Sequence, residues 1–407
     1  MKFDIPNEVH ELGKSLTEAN FKAYIVGGCV RDVLLGARPN DWDIATDATP
    51  EQIQKLFPES VYENSFGTVG VKTGSEDPKL KIVEITTFRK DGSYSDKRHP
   101  DEVQFAKTIE EDLARRDFTV NALALSMTEG MASEIVDPFG GQKDLKAKLI
   151  RAVGDPEARF NEDALRLMRA VRFAAQLDFV IETKTAEAIK KHAGLLEMVS
   201  KERIRDELTK LIMTDHAAEG INMMQTLGLL RYVIPELQEG VGIAQNLHHI
   251  YTVFEHNVRA LQYTTDKKYE FPIRLGALLH DVGKPRTKRG EGKYATFYNH
   301  EVVGARMTAK ILDRLRFSKE IVEYVTHLVR WHLFYYNVGE VSAAGVRRFL
   351  SRIGIDTVDD ILRIREADRI GSGVPKAFPY RLRHLKFMIE KVRRDPVSPK
   401  MLAVDGG

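Results

Sequence analysis

Near residue 142 the periodicity of the chain changes, and this restricts its fold more than any other feature. Up to that point short strand-like runs alternate with helical runs; from about Asp144 on, helical spacing dominates and strand signals vanish. The pattern predicts an α+β fold, a mixed head followed by an all-helical body. At 407 residues the chain has room for two to four domains. Breaks near Pro235 and Gly339 divide the body, so the expected segments are 1–142, 143–238, 239–338 and 339–407. In the head, Ala23-Tyr24-Ile25-Val26 reads as a buried strand ending in Gly27-Gly28, and Cys29 to Leu35 as a helix stopped by Gly36. Asp41 to Thr46, Ser65 to Thr73 and Leu80 to Phe88 are further strand candidates. Thr49-Pro50-Glu51-Gln52 has the composition of a capping box, with Thr as N-cap and Pro in the first helical position.

Composition excludes several classes. A chain 43% hydrophobic and 29% charged is neither disordered nor collagenous. No apolar run approaches the ~18 residues of a membrane helix, so no membrane association is expected. Met1-Lys2-Phe3-Asp4-Ile5-Pro6 lacks an apolar export core. One cysteine, Cys29, rules out an intrachain disulfide and a cysteine-based zinc site and suits a reducing cytoplasm. The formal net charge is only +2, so a nucleic-acid surface has to be a local patch.

Asp41-Trp42-Asp43 places two carboxylates on one side of an extended segment. Like charges so close repel unless a cation lies between them, and an all-oxygen set suits Mg²⁺. Taken alone the motif reads better as a solvated turn, Pro39-Asn40-Asp41, with its acids in water. Just before it, Val26-Gly27-Gly28-Cys29-Val30-Arg31-Asp32 sets glycines between a strand and a helix, where backbone N–H groups can approach an anion, and Arg31 adds a cation. An anion cradle beside a metal site is what nucleotidyl transfer requires.

These two motifs resemble the opening motifs of the class II tRNA nucleotidyltransferases, the bacterial CCA-adding enzymes and their poly(A) polymerase relatives. Thr87-Phe88-Arg89, the run Glu111 to Ala122, Asp137-Pro138-Phe139-Gly140-Gly141 and the run Glu162 to Phe173 continue the resemblance in order, over roughly residues 21–180. The resemblance implies a polymerase-β-like head, a helical neck that reads the nucleotide, and Asp41 and Asp43 as Mg²⁺ ligands. By position it implies Gly28, Arg31, Arg116, Asp163, Arg166, Arg169 and Arg172 as nucleotide contacts. Glu84, in a neighbouring strand, is the candidate third carboxylate, with an edge-strand surface acid as the equal alternative.

The neck carries a chemical argument of its own. Leu165, Met168 and Val171 recur as a core stripe of a helix running from Glu162 to Arg172, with Asp163, Arg166, Arg169 and Arg172 on another stripe. A carboxylate accepts from the amino group of C or A, and a guanidinium donates to the ring nitrogen; U and G present the reverse pattern. Such mismatches discriminate strongly. The plain alternative is a charged surface with an internal Asp163–Arg166 pair. Arg89 to Pro100 reads as a polar mobile loop, of a kind the resemblance connects with A addition.

In the body, His256, His280-Asp281 and Asp368 supply mixed nitrogen and oxygen ligands. Leu279-His280-Asp281-Val282-Gly283-Lys284 resembles the signature of HD-domain phosphohydrolases, whose two-metal members carry extra ligands where His300 and either His327 or His332 stand. A transition metal (Ni²⁺, Co²⁺ or Mn²⁺) and a phosphohydrolase activity are the expectation there, packing histidines the alternative. Near the C-terminus, residues 381–386 and 391–394 form a basic helical stretch suited to tRNA phosphates, in a tail that reads as shortened. The sequence thus leads to template-independent addition of C and A to tRNA 3′ ends from CTP and ATP. A poly(A) polymerase, or an enzyme restricted to C or to A, is the rival.

Overall fold

The computed structural model describes residues 3–62, 67–91, 103–128, 131–246, 250–373 and 379–393. The chain forms two compact units, Met1–Val199 and Ser200–Gly407. The expected loop at 89–100 and the end of the basic tail fall largely outside the described residues.

The first unit is built on a seven-stranded sheet. Its strands are β1 (Ala23–Val26), β2 (Asp43–Thr46), β3 (Ser60–Tyr62), β4 (Thr68–Lys72) and β5 (Ile82–Thr87), with β6 (Arg89–Asp91) and β7 (Val103–Phe105) pairing separately; β8 (Ala124–Thr128) and β9 (Met131–Val136) complete it. The order across the sheet is β3-β4-β5-β2-β1-β8-β9. Only β2 and β5 among these neighbours run parallel, with Asp43 opposite Glu84. Helices α1 (Asn7–Glu18), α2 (Gly28–Leu34), α3 (Pro50–Leu56), α4 (Ile109–Ala114), α5 (Gly141–Lys146), α6 (Pro156–Glu162), α7 (Arg166–Leu177) and α8 (Thr183–His192) belong to this unit. Val26, Ala45, Phe88, Ile109, Leu113 and Ala124 form one buried cluster under the sheet.

Local chemistry sets these elements. Gly27 follows β1 at φ 80°, a backbone conformation that favours glycine, and a Cβ there would lie 2.6 Å from Arg116 Nη1, so that guanidinium would have to shift. Thr49 and Gln52 make the reciprocal capping box at the start of α3. β2 begins at Asp43, so Asp41 lies in the segment leading into it and not in the strand. The helix expected from Glu162 to Arg172 is broken. Asp163 is extended (φ −137°, ψ 105°) between α6 and α7, and its Oδ1 accepts from the Leu165 N–H at 3.0 Å, a short-range bond that competes with helix. Leu165, Met168 and Val171 are buried as the periodicity requires. Two-residue strands β10 (Leu149–Ile150) and β11 (Val180–Ile181) correct the expectation that strands end before Asp144.

The second unit is helical: α9 (Lys201–Ile212), α10 (Ala217–Thr226), α11 (Leu230–Val233), α12 (Pro235–Gln238), α13 (Val253–Asp266), α14 (Phe271–Leu279), α15 (Lys284–Thr287), α16 (His300–Arg314), α17 (Lys319–Trp331), α18 (Ala343–Ile353), α19 (Val358–Gly371) and α20 (Tyr380–Arg393). Leu328, Leu350, Ile361, Ile364, Leu385 and Ile389 belong to its core. Gly371 lets α19 approach α13, since a Cβ there would meet the His256 carbonyl oxygen at 2.8 Å. Among the described residues no helix is long and apolar enough to cross a membrane.

Candidate active site and candidate metal centre

Three carboxylates gather around the start of β2, at the paired inner strands β2 and β5 of the head sheet. Residues opposite one another in a ladder share a face, so the β2–β5 register sets Glu84 beside Asp43, with Asp41 two residues ahead. Burial, then the Asp41 charge, pushes the Asp43 carboxyl up to about 7, with Glu84 adding to the rise and Arg116 opposing it. Crowded acids whose charge is costly are a donor set that a cation relieves, and the all-oxygen chemistry fits Mg²⁺. Neighbouring Cys29 is a buried thiol pushed up to about 12, first by burial, so it is no nucleophile.

The guanidiniums beside these acids are held in a connected network. Arg31, 4% exposed, donates to Asn121 Oδ1 at 2.6 Å and to Asp32 at 2.8 Å. Asn121 donates in turn to Asp117 at 3.2 Å, and Asp117 accepts from Arg169 Nε at 2.8 Å. Burial opposes the Asp117 charge, but Arg169 and Arg166 outweigh it and hold its carboxyl down to about 2. Buried Asp112 takes Arg115 at 2.8 Å and Arg116 at 3.2 Å. Arg31, Arg169 and Arg172 also stand 5.4, 5.1 and 3.9 Å from the centre of the Phe173 ring. Gly28 starts α2 with open approach, the nearest atom to an added Cβ being Arg31 Nη2 at 3.6 Å. Gly28, Arg31, Arg116, Arg169 and Arg172 are thereby brought into one neighbourhood. Arg166 and Asp163 flank the break between α6 and α7. Arg166 is bonded to Glu162 at 2.6 Å and to the Arg115 carbonyl at 2.9 Å.

Asp112, Asp117 and Asn121 are the residues sequence reasoning passed over. The signal was present: acids interleave with arginines through Glu111 to Asp117.

In the second unit, His256 from α13, His280 at the end of α14, Asp281 and Asp368 from α19 place one donor atom each within 4.8 Å of one another, all buried. Asp281 Oδ2 lies 3.0 Å from His256 Nε2 and 3.3 Å from His280 Nε2. Its other oxygen, Oδ1, lies 3.2 Å from His300 Nε2 and 3.6 Å from His332 Nε2. Asp281 therefore joins two donor groups. His332, not His327, completes the second; His327 Nε2 is bonded to the Ile353 carbonyl at 2.7 Å.

Tautomers fix the direction of the donors. His280, His300 and His332 each place Nδ1 2.6 to 2.7 Å from the carbonyl three residues earlier. A carbonyl only accepts, so Nδ1 carries the proton and Nε2 points its lone pair into the cluster. His256 Nε2 and His280 Nε2 stand 2.8 Å apart. Protonation resolves that conflict: burial opposes it, but Asp281 and Asp368 hold His280 up to about 9. A metal would replace that proton, and the nitrogen-rich donor set fits a transition metal. Lys284, missed from sequence, is ion-paired to Asp281 and donates to Gln245 at 2.7 Å.

With this geometry established, known proteins can be compared. The family model described as the Poly A polymerase head domain matches residues 23–151. A probable RNA- and SrmB-binding site of polymerase A matches 178–240, and the HD domain matches 253–365. A CCA-adding enzyme of Lactobacillus helveticus is 48% identical over 52% of this chain and 51% of its own length. That of Enterococcus faecalis is 44% identical over 59% of this chain and 58% of its own. The chain spans about half the length of the curated relatives it matches. The Bacillus stearothermophilus CCA-adding enzyme, solved in complex with CTP, superposes with a TM-score of 0.69 at 28% identity, covering 98% of this chain and 85% of that one. A Thermotoga maritima CCA-adding enzyme complexed with tRNA shares the fold at 22% identity and a TM-score of 0.60, over 98% of this chain and 84% of that one. Residues 23–151 thus belong to the Poly A polymerase head domain family and residues 253–365 to the HD domain family, and the chain is similar to CCA-adding enzymes.

Proposed function

We propose that this protein adds C and A to the 3′ end of tRNA, using CTP and ATP as donors. The observation that carries the reading is the Asp43–Glu84 register with Asp41 alongside, set against the arginine network. Asp41, Asp43 and Glu84 would hold Mg²⁺, which supplies charge neutralisation at the reacting phosphate when bound. Arg31 and Arg116, fixed by Asn121 and Asp112, face the triphosphate, and Gly28 lets its oxygens approach the backbone. The tRNA 3′-hydroxyl attacks the α-phosphate and pyrophosphate leaves. Asp163 and Arg166 read the base edge once Arg166 exchanges its Glu162 contact for the ring nitrogen. Residues 1–142 act as the head, 143–238 as the neck, 239–338 as the HD body and 339–407 as the tail, in the cytoplasm that the lone cysteine suits. The bound CTP and tRNA of the structural relatives support this reading. Incubating tRNA that lacks its 3′ end with each nucleotide tests it. Ordered incorporation of C and then A is expected; A tracts alone would mark a poly(A) polymerase.

The imidazole and carboxylate donors gathered around Asp281 favour a second activity. The HD cluster hydrolyses phosphomonoesters or 2′,3′-cyclic phosphates with Ni²⁺, Co²⁺ or Mn²⁺. Water adds to phosphorus, the ester P–O bond breaks, and the released ribose oxygen takes up a proton. A cyclic end has no free hydroxyl for the head to use, which gives the pairing a chemical logic.

A further inference from the structure

Beside the HD cluster lies a cleft that neither centre uses. Its volume is about 170 Å³, below the roughly 300–1,000 Å³ of sites for drug-sized ligands, so it suits a compact group. Arg365, Arg369 and Arg381 line it together with Tyr335 and Tyr336, and among the described residues no carboxylate does. Arg365 also donates to Asp368, whose other oxygen faces His256 at 3.4 Å. One carboxylate thus separates the cleft from the metal-ligand cluster. Glu340, bonded to the Tyr335 hydroxyl at 2.8 Å, lies near Arg381, and Asp368 pairs with Arg365, so three guanidiniums meet two acids there.

A row of rings leads away from the cleft. Tyr380, His384 and Phe387 occupy positions i, i+4 and i+7 of α20, one face of the helix, with centres 6.1 and 6.3 Å apart. The Tyr336 hydroxyl bonds His384 Nδ1 and fixes that ring. Tyr380 is 61% exposed, Phe387 63% and Tyr335 74%. Exposed rings lying in a row mark a contact surface. Arg381 and Arg383, exposed, belong to the same helix. Guanidinium forks match phosphate oxygens, and open aromatic faces match unstacked bases, which a duplex keeps hidden.

We propose that this cleft holds a backbone phosphate of a single-stranded RNA whose 3′ end reaches the HD cluster, with its bases laid on Tyr380 and Phe387. The inference rests on reading that cluster as a phosphohydrolase. It also gives the cluster a substrate class: an unpaired RNA end rather than a free nucleotide.

The test is fluorescence anisotropy with a short single-stranded RNA ending in a 3′-phosphate, under chelation so that nothing is hydrolysed. Tyr380→Ala, Phe387→Ala and Arg381→Gln change exposed side chains and should each weaken binding roughly tenfold. With Mn²⁺ restored, the variants should lower kcat/KM for that RNA relative to p-nitrophenyl phosphate, through KM. Unchanged RNA affinity in all three variants overturns the proposal. So does a duplex of equal length binding as tightly as the single strand. Ring-dependent RNA binding without hydrolysis under any metal would refute the phosphohydrolase reading and leave the groove standing.

Discussion

Asp43 is where burial and charge oppose one another most openly. Its carboxyl is pushed up to about 7 by burial and by Asp41, against a usual carboxylate value of 3.8. The folded state therefore binds that proton more tightly than the unfolded chain. Its contribution to metal-free stability is greatest below about pH 4 and declines as the pH rises toward 7. Mg²⁺ competes with the same proton, so it should raise the melting temperature more at pH 8 than at pH 5.5, and Asp43→Asn should flatten that difference. An equal Mg²⁺ shift at both pH values would remove Asp43 from the site. Asp41→Ala and Asp43→Ala should each lower nucleotide addition by about 10³-fold or more with the fold intact; near-normal incorporation by both would end the metal assignment. Two acids two residues apart are legible in a sequence. Glu84 was an ambiguous edge-strand acid there, because only the parallel register sets it opposite Asp43. Asn121 was passed over because its partner, Arg31, lies 90 residues away, and no local pattern reports such a contact.

The break between α6 and α7 shows how an element can keep its pattern and lose its continuity. Leu165, Met168 and Val171 are buried as an unbroken helix would bury them, yet Asp163 is extended and bonded to the Leu165 N–H. Apolar spacing reports which face is covered; a side chain capturing a backbone donor two residues on leaves that spacing untouched. The break sets Asp163 at the C-cap of α6, ahead of the helix α7 that carries Arg169 and Arg172. Asp163→Ala with Arg166→Ala should thus lower the ratio of C and A to U and G incorporation more than it lowers triphosphate affinity. An unchanged ratio would mean that the two residues only shape the turn. Gly27 is the opposite case, legible from sequence as a strand-ending turn and required by the structure for its positive φ. Gly27→Ala combines a positive φ with a 2.6 Å approach to Arg116. It should cost about 1–3 kcal/mol in thermal or denaturant unfolding and raise KM for the nucleotide by displacing that guanidinium; a neutral substitution would refute both.

At the scale of the whole molecule, the shift in periodicity near residue 142 announced a mixed head and a helical remainder, but the compact units divide at Val199 and Ser200, inside helical sequence. Helix spacing reads the same on both sides of that point, so the division was not legible. Each unit carries a donor set of its own chemistry: oxygens alone around Asp43, nitrogens and carboxylates around Asp281. Oxygen sites favour Mg²⁺ and imidazole sites favour transition metals, so the two centres should respond to different ions. The 407-residue chain, stripped with a chelator and given Mg²⁺ alone, should recover nucleotide addition without phosphohydrolysis; Ni²⁺, Co²⁺ or Mn²⁺ should then restore hydrolysis of a 2′,3′-cyclic phosphate. His280→Ala removes a buried donor whose Nε2 lies 2.8 Å from that of His256, and Asp281→Ala removes the carboxylate joining both donor groups. Either variant should abolish hydrolysis and retain tRNA extension, measured on one preparation so that the intact extension confirms a folded protein. Hydrolysis surviving both substitutions, or lost instead with Asp41→Ala, would place that activity outside the HD cluster.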